Sequence, residues 1–175
     1  MAGVLDRLRA DGLVQPRTAG PLSGWAPTSE ARRLDAELLA GPLAPADGDG
    51  LRRAYPEFCL LDAGVKDLCT RWQLRPLGQG TLVPNDHNDG VYDRRLVEEL
   101  DRLDRRAQRL LGVLAGSLGR VRHDQRRLTA ALAALHEGDR DRFARPLCES
   151  YHDVWMELHH DLVVTLGTDR PAAGP

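Results

Sequence analysis

Apolar residues recur at spacings of three and four along most of the chain, which predicts helices nearly throughout from Leu51 onward. The longest spans Tyr92 or Asp93 to about Leu118, with Val97, Leu100, Leu103, Ala107, Leu110, Leu111 and Leu114 on one side and Arg alternating with Asp or Glu on the others. Further helices are expected over Val121–Leu135, Asp139–Ala144 and Cys148–Leu166, divided by Gly138 and Pro146. Upstream, "LRRAYPEFCLLDAGVKDLCTRWQLR" predicts a short helix and then a longer one, because Pro56 forces a start or kink and Asp62 is available as a cap. The stretch "PLGQGTLVPNDHNDGVYD" has too much Gly and Pro for a continuous helix.

The first forty residues have another order: an amphipathic helix stopped at Gly12, an apolar "LV", a Pro/Gly-rich connection, "GWAPT", and a second helix. Thr28 is placed to cap that helix, Ser29 and Glu30 suit its first turn, and Gly41 ends it. The composition of "GPLAPADGDG" marks 42–50 as a linker, with a bundle domain at 51–168 and a disordered tail at 169–175.

Leu8, Gly12, Leu13 and Val14, then Trp25, Ala26, Pro27 and Thr28 before Arg32 and Arg33, resemble the latter half of a MarR-type winged helix-turn-helix. The resemblance implies a recognition helix, a wing and DNA binding. The chain begins at the recognition helix, so dimerisation or a partner is expected to supply the bracing helices. "CTRWQ", "NDHNDGVYD" and "SYHDVWMELHHDLVVTLG" resemble a helical region of actinobacterial proteins. That region occurs sometimes after such a winged segment and sometimes beside modules of phosphoenolpyruvate-utilising phosphotransfer enzymes. The fold class is therefore expected to be mainly α: a partial winged-helix-like N-terminal segment plus a bundle of four to six helices.

Composition narrows the class. The chain has 175 residues, 42% hydrophobic and 29% charged, the balance of a soluble globular protein. "MAGVLDRLRADG" has no signal-peptide apolar run, so a cytoplasmic location and no membrane partner are expected. Cys59, Cys69 and Cys148 lack C-x-x-C spacing and read as buried small hydrophobes. A net charge of −2 gives no global attraction to nucleic acid, so DNA or anion binding would fall to local bases: Arg7, Arg9, Arg17, Arg122 and Arg126.

The densest chemistry is in "ESYHDVWMELHHDLV". On a helix His152, Trp155, Met156 and His159 share one face and could form the wall of a small-molecule pocket or a polar core. Glu149 with His152 and Glu157 with His160 make two E-x-x-H pairs, but one helix cannot fold both onto a dinuclear centre. A mononuclear alternative would draw on His87, His152, Glu157 and His160 with Asp86. The "NDHNDG" loop lacks calcium-loop register and reads as turns and caps. No nucleophile elbow, phosphate loop or dinucleotide fingerprint occurs.

These observations favour a non-catalytic regulatory or ligand-sensing protein that needs no cofactor, forms a homodimer and takes a small-molecule ligand, with DNA as a further partner. One alternative is a small metal-dependent enzyme built on the last helix and the 85–93 loop, with a divalent metal. Another is an accessory domain of a phosphotransfer enzyme.

Overall fold

The structure, a computed structural model, describes residues 2–19, 22–39, 41, 44–76 and 81–167. The tail expected to be disordered, from residue 169 on, lies outside them. Among the described residues the chain is mainly helical, with two small antiparallel sheets, and none of the helices is long and apolar enough to cross a membrane. It divides into two compact units, residues 1–42 with 167–175, and residues 43–166.

The first unit contains helix α1 (Ala2–Ala10), a hairpin of β1 (Val14–Ala19) and β2 (Leu22–Pro27), and helix α2 (Ser29–Leu39). Gly12 stops α1 with φ of 71°, donating to Arg9 O while Leu13 N donates to Leu8 O. Strand register runs from Val14 opposite Pro27 to Ala19 opposite Leu22. Thr28 ties the ends together. Its hydroxyl donates to Gly12 O at 2.8 Å and accepts from Ala31 N at 3.2 Å, capping α2. No described side chain of this unit is buried.

The second unit holds α3 (Pro45–Gln73), β3 (Leu74–Pro76), β4 (Leu82–Pro84), α4 (Gly90–Ser117), α5 (Val121–His136), α6 (Asp141–Ala144) and α7 (Tyr151–Leu166). Helix α3 packs on α4, α4 on α5, α5 on α7 and α7 back on α3, closing a four-helix bundle. The short α6 packs against α3, α5 and α7. The strands β3 and β4 pair as a short ribbon, with Arg75 opposite Val83, between α3 and α4 in the sequence.

Four expectations are corrected. Residues 45–50, assigned to the linker, form the first turns of α3, where Pro45 sits near the N-terminus and its missing N–H is harmless. Pro56 neither starts nor divides a helix: α3 runs 29 residues, about 43 Å, straight through it. The reason is the buried stripe Leu51, Phe58, Leu61, Val65, Leu68, Cys69 and Trp72. Each fully buried apolar side chain contributes about 1.5–3 kcal/mol, so the stripe as a whole outweighs the roughly 3 kcal/mol an interior proline costs. Asp62 consequently lies inside a helix and is not a cap. Of the cysteines, Cys69 alone is buried, where burial pushes its thiol up to about 12; Cys59 and Cys148 are half-buried.

The starts of α4 and α7 carry side-chain caps. Asp89 accepts from Val91 N and Tyr92 N at the start of α4. At α7 Ser150 Oγ accepts from Asp153 N at 3.1 Å while Asp153 Oδ2 accepts from Ser150 N and Cys148 N, a reciprocal capping box. The helix starts at Tyr151 rather than Cys148 because Leu147 and Glu149 take positive φ, 62° and 58°.

Because Pro56 is exposed and contributes nothing to the buried stripe, Pro56→Ala is expected to stabilise the protein by about 2–3 kcal/mol. The midpoint of urea unfolding measures it, and an unchanged midpoint would mean that α3 already accommodates the ring without loss.

Candidate functional site

The face of α7 that enters the bundle is set by Tyr151, Val154, Trp155, Leu158, His159 and Leu162. Trp155 and His159 are 0% and 1% exposed, whereas His152 and Met156 are only half-buried. The structure therefore splits the four expected ligand residues into two pairs in different surroundings. Phe58 stacks on Trp155 with ring centroids 5.0 Å apart and meets His159 edge-on at 5.4 Å, so the place expected for a ligand is filled by packed rings.

At the centre of that packing is Asp62. Trp155 Nε1 donates to its Oδ1 at 3.0 Å, Lys66 Nζ lies 2.7 Å from its Oδ2, and His159 Nδ1 lies 3.1 Å from Oδ1. His159 approaches off the hydrogen-bond direction, and neither of its ring nitrogens has a well-aligned partner among the described residues. Burial alone would raise the Asp62 carboxyl; the His159 imidazole beside it, the Lys66 ammonium and the Trp155 N–H outweigh that and hold the group at about 2. Tyr151 adds another tie, its OH donating to the buried Asp104 Oδ1 at 2.9 Å. Burial, with Asp104 adding to it, raises that phenol well above its ordinary value.

The loop histidine is engaged elsewhere. His87, at φ 57°, packs its ring 4.6 Å from Trp72, and its Nδ1 lies 3.1 Å from Asp93 Oδ2. Asn85 Nδ2 donates to Asp93 Oδ1 at 3.0 Å and to Trp72 O at 3.1 Å. These contacts latch the loop to the end of α3 and the start of α4. Glu157 is held by Arg127 at 2.6 Å. His87, His152, Glu157 and His160 thus do not converge, and no group of three or more metal-ligating side chains occurs among the described residues.

Arg127 is the polar centre between α5 and α7. It makes a two-armed contact with Glu149, both distances 2.9 Å, while also holding Glu157 and reaching Asp124 at 3.5 Å. Arg120 forks onto Asp161 at 2.7 and 2.6 Å and touches Thr165. The two E-x-x-H glutamates are therefore anchors for Arg127.

Among the described residues a shallow depression of about 650 Å³ lies over Arg75, Asp86, Asp89 and Arg94, and a groove of about 470 Å³ runs along the outer side of α7, lined by Leu147, Glu149, His152, Asp153, Met156 and Glu157 with Pro146. Leu147 is 91% exposed at its rim, on left-handed backbone. A second groove, about 390 Å³, is lined by Arg122, Gln125, Arg126 and Thr129 of α5. The remaining expected bases, Arg7 and Arg9 in the last turn of α1 and Arg17 on β1, are exposed in the first unit.

Residue reasoning missed Asp62, Asn85, Arg127 and Leu147. Asp62 had a readable signal, since it falls in the 3–4 stripe of Phe58, Leu61 and Val65, and the capping box at the start of α7 was readable as S-x-x-D at 150–153. Comparison with protein-family models, curated proteins and solved structures returns no match.

Asp62→Asn is expected to cost about 2 kcal/mol at neutral pH. A carboxyl held near 2, against about 3.9 unfolded, stabilises the fold above pH 4 and loses that contribution as pH falls toward 2. Urea unfolding of both proteins from pH 7 to pH 2.5 should show the gap closing at the acid end. A gap constant with pH would assign the loss to packing instead.

Proposed function

We propose that the chain is a non-catalytic, ligand-responsive binding protein whose helical unit takes a small molecule in the groove along α7. One observation carries this reading. Leu147, almost fully exposed, is held on strained backbone at the mouth of a groove that also contains Met156 and His152. A non-glycine residue at positive φ costs on the order of 1 kcal/mol, and presenting a leucine to water returns nothing to the fold. A recognition role supplies the return. The groove volume is within the usual range for small-molecule sites, and its mixture of apolar wall and a few polar groups suits one.

The regulatory part of the reading is supported by the first unit. Its order of helix, hairpin and capped helix agrees with a winged-helix half, and its exposed bases Arg7, Arg9 and Arg17 are candidates for phosphate contacts. A unit that buries none of its own described side chains is suited to work against another polypeptide, and a homodimer is the simplest one.

The test uses Met156 as reporter, since Met1 is the one other methionine. In methyl-labelled protein, members of a small-molecule library are expected to shift the Met156 signal saturably. Leu147→Gly and His152→Ala should weaken those shifts about tenfold while leaving the melting temperature unchanged or, for the glycine, raised. His159→Ala, in contrast, should lower stability by several kcal/mol, because it empties a site in the ring stack. A library that leaves Met156 unmoved at millimolar concentration would end the ligand reading.

A further inference from the structure

The basic run Arg120 to Arg127 is sorted by the fold into two groups. Arg120 and Arg127 turn toward α7 and are saturated by Asp161, Glu149 and Glu157. Arg122 and Arg126 instead line the second groove with Gln125 and Thr129, are exposed, and have no ion pair among the described residues. We propose that this groove is a binding site for the phosphate monoester group of a small molecule, gripped by Arg122 and Arg126.

Arg122 and Arg126 lack the neighbouring acid that other helical arginines of the chain have. Many helical arginines here have an acid three or four positions away, as Arg33, Arg52, Arg71, Arg142 and Arg145 do. The corresponding neighbours of Arg122 are Leu118, Gly119, Gln125 and Arg126, and those of Arg126 are Arg122, His123, Thr129 and Ala130. Neither has an acid within that reach. Like charges at i and i+4 destabilise a helix by a few tenths of a kcal/mol, and a shared dianion turns that loss into a gain.

One turn of helix separates the two Cα atoms by about 6 Å along the axis, so long side chains can converge on one tetrahedral group. Gln125 between them is fixed, its Nε2 donating to Gln108 O at 3.2 Å, and the Thr129 hydroxyl is committed to Gln125 O. The grip is thus left to the guanidinium groups. A carboxylate is satisfied by one guanidinium fork, whereas a phosphate monoester has three terminal oxygens for two. The lining residues include no aromatic side chain for base stacking, and the pair spans one phosphate rather than a strand.

The test titrates ¹⁵N-labelled full-length protein with phenyl phosphate, inorganic phosphate and benzoate at constant ionic strength, tracking the Gln125 side-chain amide and the arginine Nε–H signals. Saturable shifts with both phosphates are expected, with benzoate at least tenfold weaker. The double variant Arg122→Gln/Arg126→Gln should lose the phosphate response by tenfold or more and melt no lower, since glutamine is a good helix former. Arg140→Gln, which removes an exposed charge beyond α5, should bind as the parent does. Equal binding by the double variant, a response matched by sodium chloride, or equal affinity for benzoate would overturn the proposal. Tighter binding of a DNA duplex at the same signals would reassign the surface to nucleic acid and overturn it as well.

Discussion

A single buried carboxylate fixes how the helical unit is assembled. Asp62 sits in the middle of α3, in the apolar stripe, and an unpaired charge there would cost several kcal/mol. It is tolerated because Trp155 and His159 of α7 and Lys66 of its own helix surround it. Two of those three partners are separated from it by more than ninety residues of sequence. The requirement to satisfy this group therefore selects the pairing of α3 with α7 and the rotation of α7 about its axis. The stack of Tyr55, Phe58, Trp155 and Tyr151 rings forms around that choice, and the Tyr151 contact with Asp104 carries it across to α4.

Once α7 is so oriented, the uses of its polar residues are set. His159 must face the core, and His152, seven positions earlier, falls short of it because α-helical residues seven apart differ by about 20° and the core face is centred on Trp155 and Leu158. Asp161 and Glu157 are carried toward α5, where Arg120 and Arg127 meet them. Three histidines in one helix thus have three different settings, and the density of imidazoles there reflects packing and ion pairing more than shared chemistry.

The legibility of the chain depends on the range of the interactions involved. Helices α4, α5 and α7, the stop at Gly12 and the cap at Thr28 are set by spacing and capping within a few residues, and reading those residues in order recovers them. The course of α3 through Pro56 is not set locally. It depends on the buried stripe from Leu51 to Trp72, whose packing in the bundle overrides a local breaker. Likewise the E-x-x-H spacing reports that Glu157 and His160 share a helix side but says nothing of Arg127 on α5, whose attraction settles what Glu157 does. The ring face of α7 was legible as amphipathic, while its exact centre was not, because Tyr151 and Val154 counted for less in a pattern read around the histidines.

Function is best sought where the fold gains nothing. Most costly features here have a visible structural return: the buried Asp62 is paired, the positive-φ His87 is latched to Asp93 and Trp72, and the interior Pro56 is carried by its helix. Two have none. The left-handed backbone at Leu147 presents a leucine to water, and Arg122 and Arg126 stand one turn apart on α5 with no acid three or four positions away. Both lie beside open grooves of the same helical unit, Leu147 in the connection before α7 and the two arginines on α5. A ligand at either groove would meet a surface already under tension, and its binding energy would not first have to pull apart a contact on which the bundle depends.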